Sequence, residues 1–238
     1  MNTLILAYHR VNDWAEDALT VHPDIFRKQL DYLSGRYRFV PLSELAAART
    51  KRLKIGKRLA AITFDDGYYD NLLFAVPVLK ELGFTAAFFL TAGYIGTDKL
   101  LPRDKERGNI EKNRLLNWAE VSEMKKMGFT FGSHSLTHAN LASSDPEQAR
   151  KEIEESKKIL EAHLQEPVNF FCYPFGSYSP EVKKMVAGAG YRAAFVTPPI
   201  KGTSLFLKGR TAPDPYALKR VGVYHHTAFW QFRLKIKL

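Results

Sequence analysis

One cysteine, Cys172, stands among 238 residues, so no internal disulfide can form. No run approaches the ~20 apolar residues that a membrane-spanning helix needs. The opening apolar stretch, Met1 to Tyr8, lacks a basic region and a small-residue cleavage site, and His9 and Arg10 interrupt it. It reads as a first strand and not as a signal peptide, and the expectation is a cytoplasmic protein. No Gly-x-Ser-x-Gly elbow occurs, so a serine nucleophile of that kind is not expected. No nucleic-acid recognition motif occurs either, and no nucleic-acid partner is expected.

What is present is an ordinary globular composition, 45% hydrophobic and 25% charged, long enough for a large core. The net charge is +10, from 35 Lys and Arg against 25 acids. Six of the cations fall between Arg49 and Arg58, and eight fall from Lys201 onward, where Asp214 is the only acid. Such blocks are either solvated surface or attractors of phosphates and anionic headgroups. The last residues, Phe229 to Leu238, mix aromatics with cations. They either pack an apolar side on the fold or lie peripherally on an anionic membrane.

Short apolar runs alternate with helical patterns. Strands are expected at Leu4–Tyr8, Ala60–Phe64, Ala86–Leu90, Thr130–Gly132, Phe170–Tyr173, Ala193–Thr197 and Arg220–Tyr224. Helices are expected at Asn71–Leu82, at Asp145–Leu164 behind an Asp-Pro start, and after Ser179-Pro180. Leu82-Gly83-Phe84, Met127-Gly128-Phe129 and Ala189-Gly190-Tyr191 each read as a helix end, a left-handed Gly and a strand entry. The pattern implies an α/β fold, a distorted barrel of about seven parallel strands in one domain over residues 1–238. Gly96 to Asn113 is the least regular segment and reads as a loop over one end of the barrel.

Two stretches carry the chemistry. Thr63-Phe64-Asp65-Asp66-Gly67 puts adjacent carboxylates at the end of an apolar run, and His134-Ser135-Leu136-Thr137-His138 puts two imidazoles after another. One Asp and two His form a ligand set that leaves open positions on a divalent metal, and the second Asp is spare as a base. At strand ends, where α/β barrels build their sites, that predicts a hydrolase. The alternative for Asp-Asp-Gly alone, a strand-to-helix turn, yields to the paired histidines. Ser135 is read as loop support. His22, His163 and His226 are read as surface, Cys172 as core, and Trp118 as a helix-start core contact. Tyr68 or Tyr69 lines a cleft. His9 is either a buried structural histidine or a site residue.

These motifs resemble those of the polysaccharide deacetylases, the family-4 carbohydrate esterases, from Tyr8-His9 to about Val223. The resemblance implies removal of acetyl groups from an N-acetylated glycan with a divalent metal, zinc first. It implies Asp65 as general base and Asp66, His134 and His138 as metal ligands. It also implies an oxyanion contact from the backbone N–H of Phe175. Cys172-Tyr173-Pro174-Phe175-Gly176 stands where the family has Arg-x-Pro-Tyr/Phe-Gly, so the arginine that orients the base is missing. With Ala7-Tyr8-His9-Arg10-Val11, this is more similar to the exopolysaccharide poly-N-acetylglucosamine deacetylase branch. Another cation, Arg210 or Arg220, is expected to do that arginine's work. The general acid is His225 or His9, and His225 is equally read as surface. Three alternatives stand beside this reading: a sugar-binding barrel of weak activity, a hydrolase of another amide or ester, and an enzyme of the inner membrane face acting on a lipid-linked sugar.

Overall fold

The computed structural model describes residues 3–15, 17–51, 56, 58–107, 110–197, 214–225 and 227–237. Its centre is a parallel sheet of β1 (Thr3–Tyr8), β2 (Leu59–Phe64), β3 (Ala86–Leu90), β4 (Thr130–Ser133), β5 (Phe170–Cys172), β6 (Ala193–Val196), β7 (Leu218–Lys219) and β8 (Val221–Gly222). The order is β7-β6-β5-β4-β3-β2-β1-β8, with a short strand Arg38–Phe39 added beside β2. Only Arg220 separates β7 from β8, yet β7 pairs with β6 and β8 pairs with β1. The sheet therefore curls into a barrel with one seam, and that seam lies at Arg220.

The expected strands are present, with one shifted. The last, expected as Arg220–Tyr224, is instead the two short strands β7 and β8 between Leu218 and Gly222, and beyond them the Tyr224 N–H bonds the Thr227 hydroxyl. The cause is legible in its burial. Leu218, Arg220 and Gly222 are buried while Lys219 is exposed, so this stretch alternates where most of the other strands are apolar throughout.

Side-chain alternation sorts the strands into two layers. Leu4, Leu6, Ile62, Phe88 and Phe171 face the helices. Ile5, Ala61, Ala87, Phe89, Cys172, Phe195 and Leu218 fill the barrel. Gly132 belongs to that filling: a Cβ there would meet the Phe89 ring at 2.6 Å and the Phe170 carbonyl at 2.9 Å. Two residues beyond the apolar interior positions, the same parity brings in Thr63 and then Asp65 on β2, and Arg220 after Leu218. The apolar filling gives way to polar groups at the C-terminal rim.

The helices are α1 (Pro23–Ser34), α2 (Leu42–Thr50), α3 (Val76–Glu81), α4 (Trp118–Lys126), α5 (Pro146–Leu164), α6 (Pro180–Gly188) and α7 (Phe229–Lys237), of which α2 packs Leu42, Leu45, Ala46 and Ala48 against the barrel filling. Asp145 caps α5 through the N–H groups of Glu147 and Gln148, both at 3.0 Å, and Ser179 caps α6. Gly83, Gly128 and Gly190 all have positive φ, as their place after helix ends demands. A π-helical turn, Asn71–Ala75, precedes α3, and its Asn71 side chain donates to the His9 carbonyl at 2.8 Å. Gly96 to Asn113 contains a 3-10 turn, Pro102–Arg107, and a helical turn, Ile110–Asn113. Trp118 packs on the core and stacks on His163. No helix among the described residues is long and apolar enough to cross a membrane.

Candidate active site

β2 runs straight into the carboxylates. The Asp65 N–H continues the pairing with β1 by bonding the Tyr8 carbonyl at 2.9 Å, which keeps Asp65 on the interior parity. Asp66 then turns left-handed, at φ 74°, and Gly67 follows at φ 89°. A non-glycine residue adopts that region at a cost, and such strain gathers where side-chain direction matters. Here it sends two adjacent carboxylates to different partners, and both are buried.

Asp66 faces the histidines. His134 leaves β4 with its N–H on the Leu90 carbonyl, and its Nδ1 lies 2.9 Å from the Cys172 carbonyl. A carbonyl only accepts, so Nδ1 carries the proton and Nε2 presents a lone pair. That Nε2 lies 3.5 Å from Asp66 Oδ1, and His138 Nε2 lies 3.2 Å from the same oxygen. Ser135 and His138 are both left-handed, and the Ser135 hydroxyl accepts the His138 N–H at 3.0 Å. Burial lowers the His134 pKa to about 4, against the opposing pull of Asp65, so the ring is neutral at pH 7.

These residues fit a divalent cation. Asp66, His134 and His138 bring one ligand atom each within 4.8 Å of one another. Asp66 Oδ1 is buried and has no hydrogen-bond partner among the described residues. An orphan carboxylate oxygen opposite the lone pair of a neutral imidazole is costly unless a cation sits between them. Asp65, His134 and Cys172 form a second close group, but the Arg220 guanidinium already bonds two of its members.

Asp65 is held by Arg220. Nη1 donates to Oδ1 at 2.8 Å and Nη2 to Oδ2 at 2.5 Å, a two-point grip. The same guanidinium reaches Thr63 Oγ1 at 2.9 Å, Thr197 Oγ1 at 2.6 Å and Cys172 Sγ at 2.9 Å. Burial opposes ionisation of Asp65, but Arg220 and His134 outweigh it and hold the carboxyl below its ordinary range. The cation expected in place of the missing arginine is thus Arg220, entering from the barrel seam. Cys172 leaves room for it. Arg210 lies outside the described residues.

Around this pair the other expected residues distribute unevenly. His9 joins the site: Nε2 is 3.8 Å from Asp65 Oδ2, and its buried Nδ1 has no partner among the described residues. Phe175 sits left-handed in the turn Pro174–Gly176, its ring 4.7 Å from His138. His225 is exposed beyond β8, with its backbone N–H on the Ala18 carbonyl at 3.1 Å. Tyr68 is buried, while Tyr69 lies half-buried under the Arg114 guanidinium. His22 and His163 are exposed, and His226 lies outside the described residues.

Two contributors escape the motifs. Arg103, from the irregular segment, bonds Asp66 Oδ2 through Nη2. Glu152, fully buried on α5, accepts the N–H groups of Leu136 (3.0 Å) and Thr137 (2.8 Å) and the Thr137 hydroxyl (2.6 Å). It therefore anchors the loop between the two histidines. Glu152→Ala is expected to weaken divalent-cation binding by the Asp66, His134 and His138 group about 10- to 100-fold, the usual loss when the support of a ligand is removed. Competition with a chromophoric chelator measures this, and an unchanged affinity would assign Glu152 to folding alone.

A family model described as polysaccharide deacetylase matches residues 53–194. The Bacillus subtilis (strain 168) protein YxkH is 28% identical over 222 residues, covering 92% of this chain and 70% of its own. Among solved structures, the Streptococcus pyogenes deacetylase PplD in complex with acetate superposes with a TM-score of 0.78 at 24% identity, covering 98% of this chain and 97% of its own. IcaB from Ammonifex degensii gives a TM-score of 0.78 at 22% identity, covering 99% and 97%. At those identities the two structures speak for the fold.

Proposed function

The chain belongs to the polysaccharide deacetylase family, and from that premise we propose that it hydrolyses the acetamide of an N-acetylated sugar or polysaccharide with the help of a divalent metal, zinc first. One observation carries the proposal. A buried carboxylate gripped by Arg220 stands next to a second carboxylate whose free oxygen faces two imidazoles. The first is built to take protons and the second to hold a cation.

Asp66, His134 and His138 would hold the cation. Bound there, it supplies Lewis-acid polarisation of the acetyl carbonyl and a more acidic water. Asp65 takes the proton of the attacking water, and Arg220 keeps that carboxylate ionised and aimed. The turn's own hydrogen bonds are donated by Gly176 and Ser177. The Phe175 N–H stands outside that set and donates to the developing oxyanion. The leaving amine needs a proton, which His9 or His225 supplies. His9 is favoured by its place beside Asp65. Acetate release from N-acetylglucosamine oligomers, before and after chelation and zinc return, tests the whole reading. Release from simple esters but not from those oligomers would favour another acyl substrate. The sugar-binding alternative draws on the missing arginine, and Arg220 beside Asp65 supports turnover over binding alone.

The finer reading of partner and place is a lipid-linked glycan at the cytoplasmic face of the membrane. On α7, Phe232 and Ile236 are buried, while Trp230 (62% exposed) and Leu234 (54% exposed) stand outward with Arg233. The inner face of this segment packs on the fold, and the outer face is the part proposed to meet an anionic surface. Sedimentation with anionic vesicles should be salt-sensitive and weakened by Trp230→Ala. Absence of binding at low salt would leave a soluble enzyme.

A further inference from the structure

Asp66 uses its two oxygens differently. Oδ1 faces His134 and His138 and has no hydrogen-bond partner among the described residues. Oδ2 accepts from Arg103 Nη2. Arg103 is itself fixed from behind. Its Nε donates to the Tyr68 hydroxyl at 3.0 Å, and that hydroxyl donates to Asp104 Oδ2 at 2.6 Å. Tyr68 and Asp104 are buried, and the Arg10 guanidinium lies 4.7 Å from the Tyr68 ring. The guanidinium cannot easily follow Asp66 if the carboxylate rotates.

We infer that Arg103 is a positioning residue for the cation site: by holding Asp66 Oδ2, it makes the carboxylate offer one oxygen, Oδ1, to a divalent cation shared with His134 and His138. The inference rests on the metal-dependent reading above. It follows from two elementary effects. A carboxylate free to turn presents both oxygens to a dication, which fills a position that an incoming carbonyl or water needs. A guanidinium on the far oxygen prevents that. It also places a positive charge near the cation, which lowers affinity for the cation and leaves it more electron-poor. Arg103 thus works against tight binding and in favour of an open, electrophilic site. A residue that merely braced the fold would do the opposite, since its loss would loosen the ligand and weaken the metal.

The two roles predict opposite signs. In Arg103→Gln the zinc dissociation constant, measured by chelator competition, should fall by about tenfold or more, while kcat falls. Cobalt substituted into the same variant should show weaker visible absorption than in the unaltered protein, as higher coordination does. Arg103→Lys keeps the charge and should keep an affinity near that of the unaltered protein. Tyr68→Phe removes the brace behind Arg103, so it should shift affinity in the same direction by less, and it serves if Arg103→Gln fails to fold. A dissociation constant that is unchanged or raised in the Gln and Phe variants overturns the inference. Failure of the unaltered protein to bind zinc at all would instead overturn the metal-dependent reading on which it stands.

Discussion

Asp65→Asn should keep most of its metal and lose about 10²- to 10⁴-fold in rate, the usual worth of a positioned general base. The amide preserves the size of the side chain and one oxygen for Arg220, so the barrel seam keeps a hydrogen bond where it had an ion pair. It removes the ability to take a proton. Metal content should stay near that of the unaltered protein, because the oxygen that faces the imidazoles belongs to Asp66. His138→Ala is the contrast. It deletes a ligand and should lose metal and activity together. Metal analysis on purified protein, beside acetate release, separates the two. If Asp65→Asn loses its metal as completely as His138→Ala does, the roles of the adjacent carboxylates are exchanged.

The assignment depends on a division of labour that local sequence shows only in part. Both motifs could be read because each is short and sits at a strand end, where strand parity and one left-handed residue set direction. The strands were legible for a related reason. Burial on both faces makes a parallel strand read as a continuous apolar run, and most of them do. The seventh escaped that rule because Lys219 looks outward at the seam, so its bounds shifted.

Less legible is the set of groups that hold the site from a distance, of which the sequence offers Arg220 only as one of two candidates and Arg103 and Glu152 not at all. Arg220 is 155 residues from Asp65, and Arg103 is 37 from Asp66. Nothing in an irregular segment announces which of its cations turns inward. Cys172 in the place of an arginine is itself a signal, since a buried carboxylate demands a cation from somewhere. Glu152 had a signal that composition hid. It stands among several charges, yet it falls on the stripe Ala149, Glu152, Ile153, Ser156, Leu160 and Leu164 that α5 buries. A carboxylate on an apolar stripe, 14 residues after His138, is a group waiting for backbone N–H partners.

Arg220→Ala should cost as much as any single change at this site, and a second change should return part of it. Without the guanidinium, Asp65 is a buried carboxylate with its bidentate partner gone, a change that typically destabilises by about 3–5 kcal/mol. The sign with pH follows from the depressed pKa of Asp65. The ion pair contributes fully above the unfolded carboxyl pKa of about 3.9 and is lost as pH falls through the lower folded value. The stability gap between Arg220→Ala and the unaltered protein should therefore be full near pH 7 and shrink in acid. With its cation gone, Asp65 should also need a higher pH to ionise, so the acidic limb of kcat/KM moves upward. Cys172 supplies the decisive control. Its sulfur lies 2.9 Å from Arg220 Nη2, so an arginine side chain grown from position 172 on β5 enters the same slot. In the unaltered background Cys172→Arg forces two guanidinium groups into one buried space and should destabilise. In the Arg220→Ala background it should recover activity and move the acidic limb back. The double variant should thus outperform both singles, a non-additivity expected only of residues that share a partner. If the double is no better than Arg220→Ala in rate and in pH profile, Arg220 braces the seam and does not orient the base.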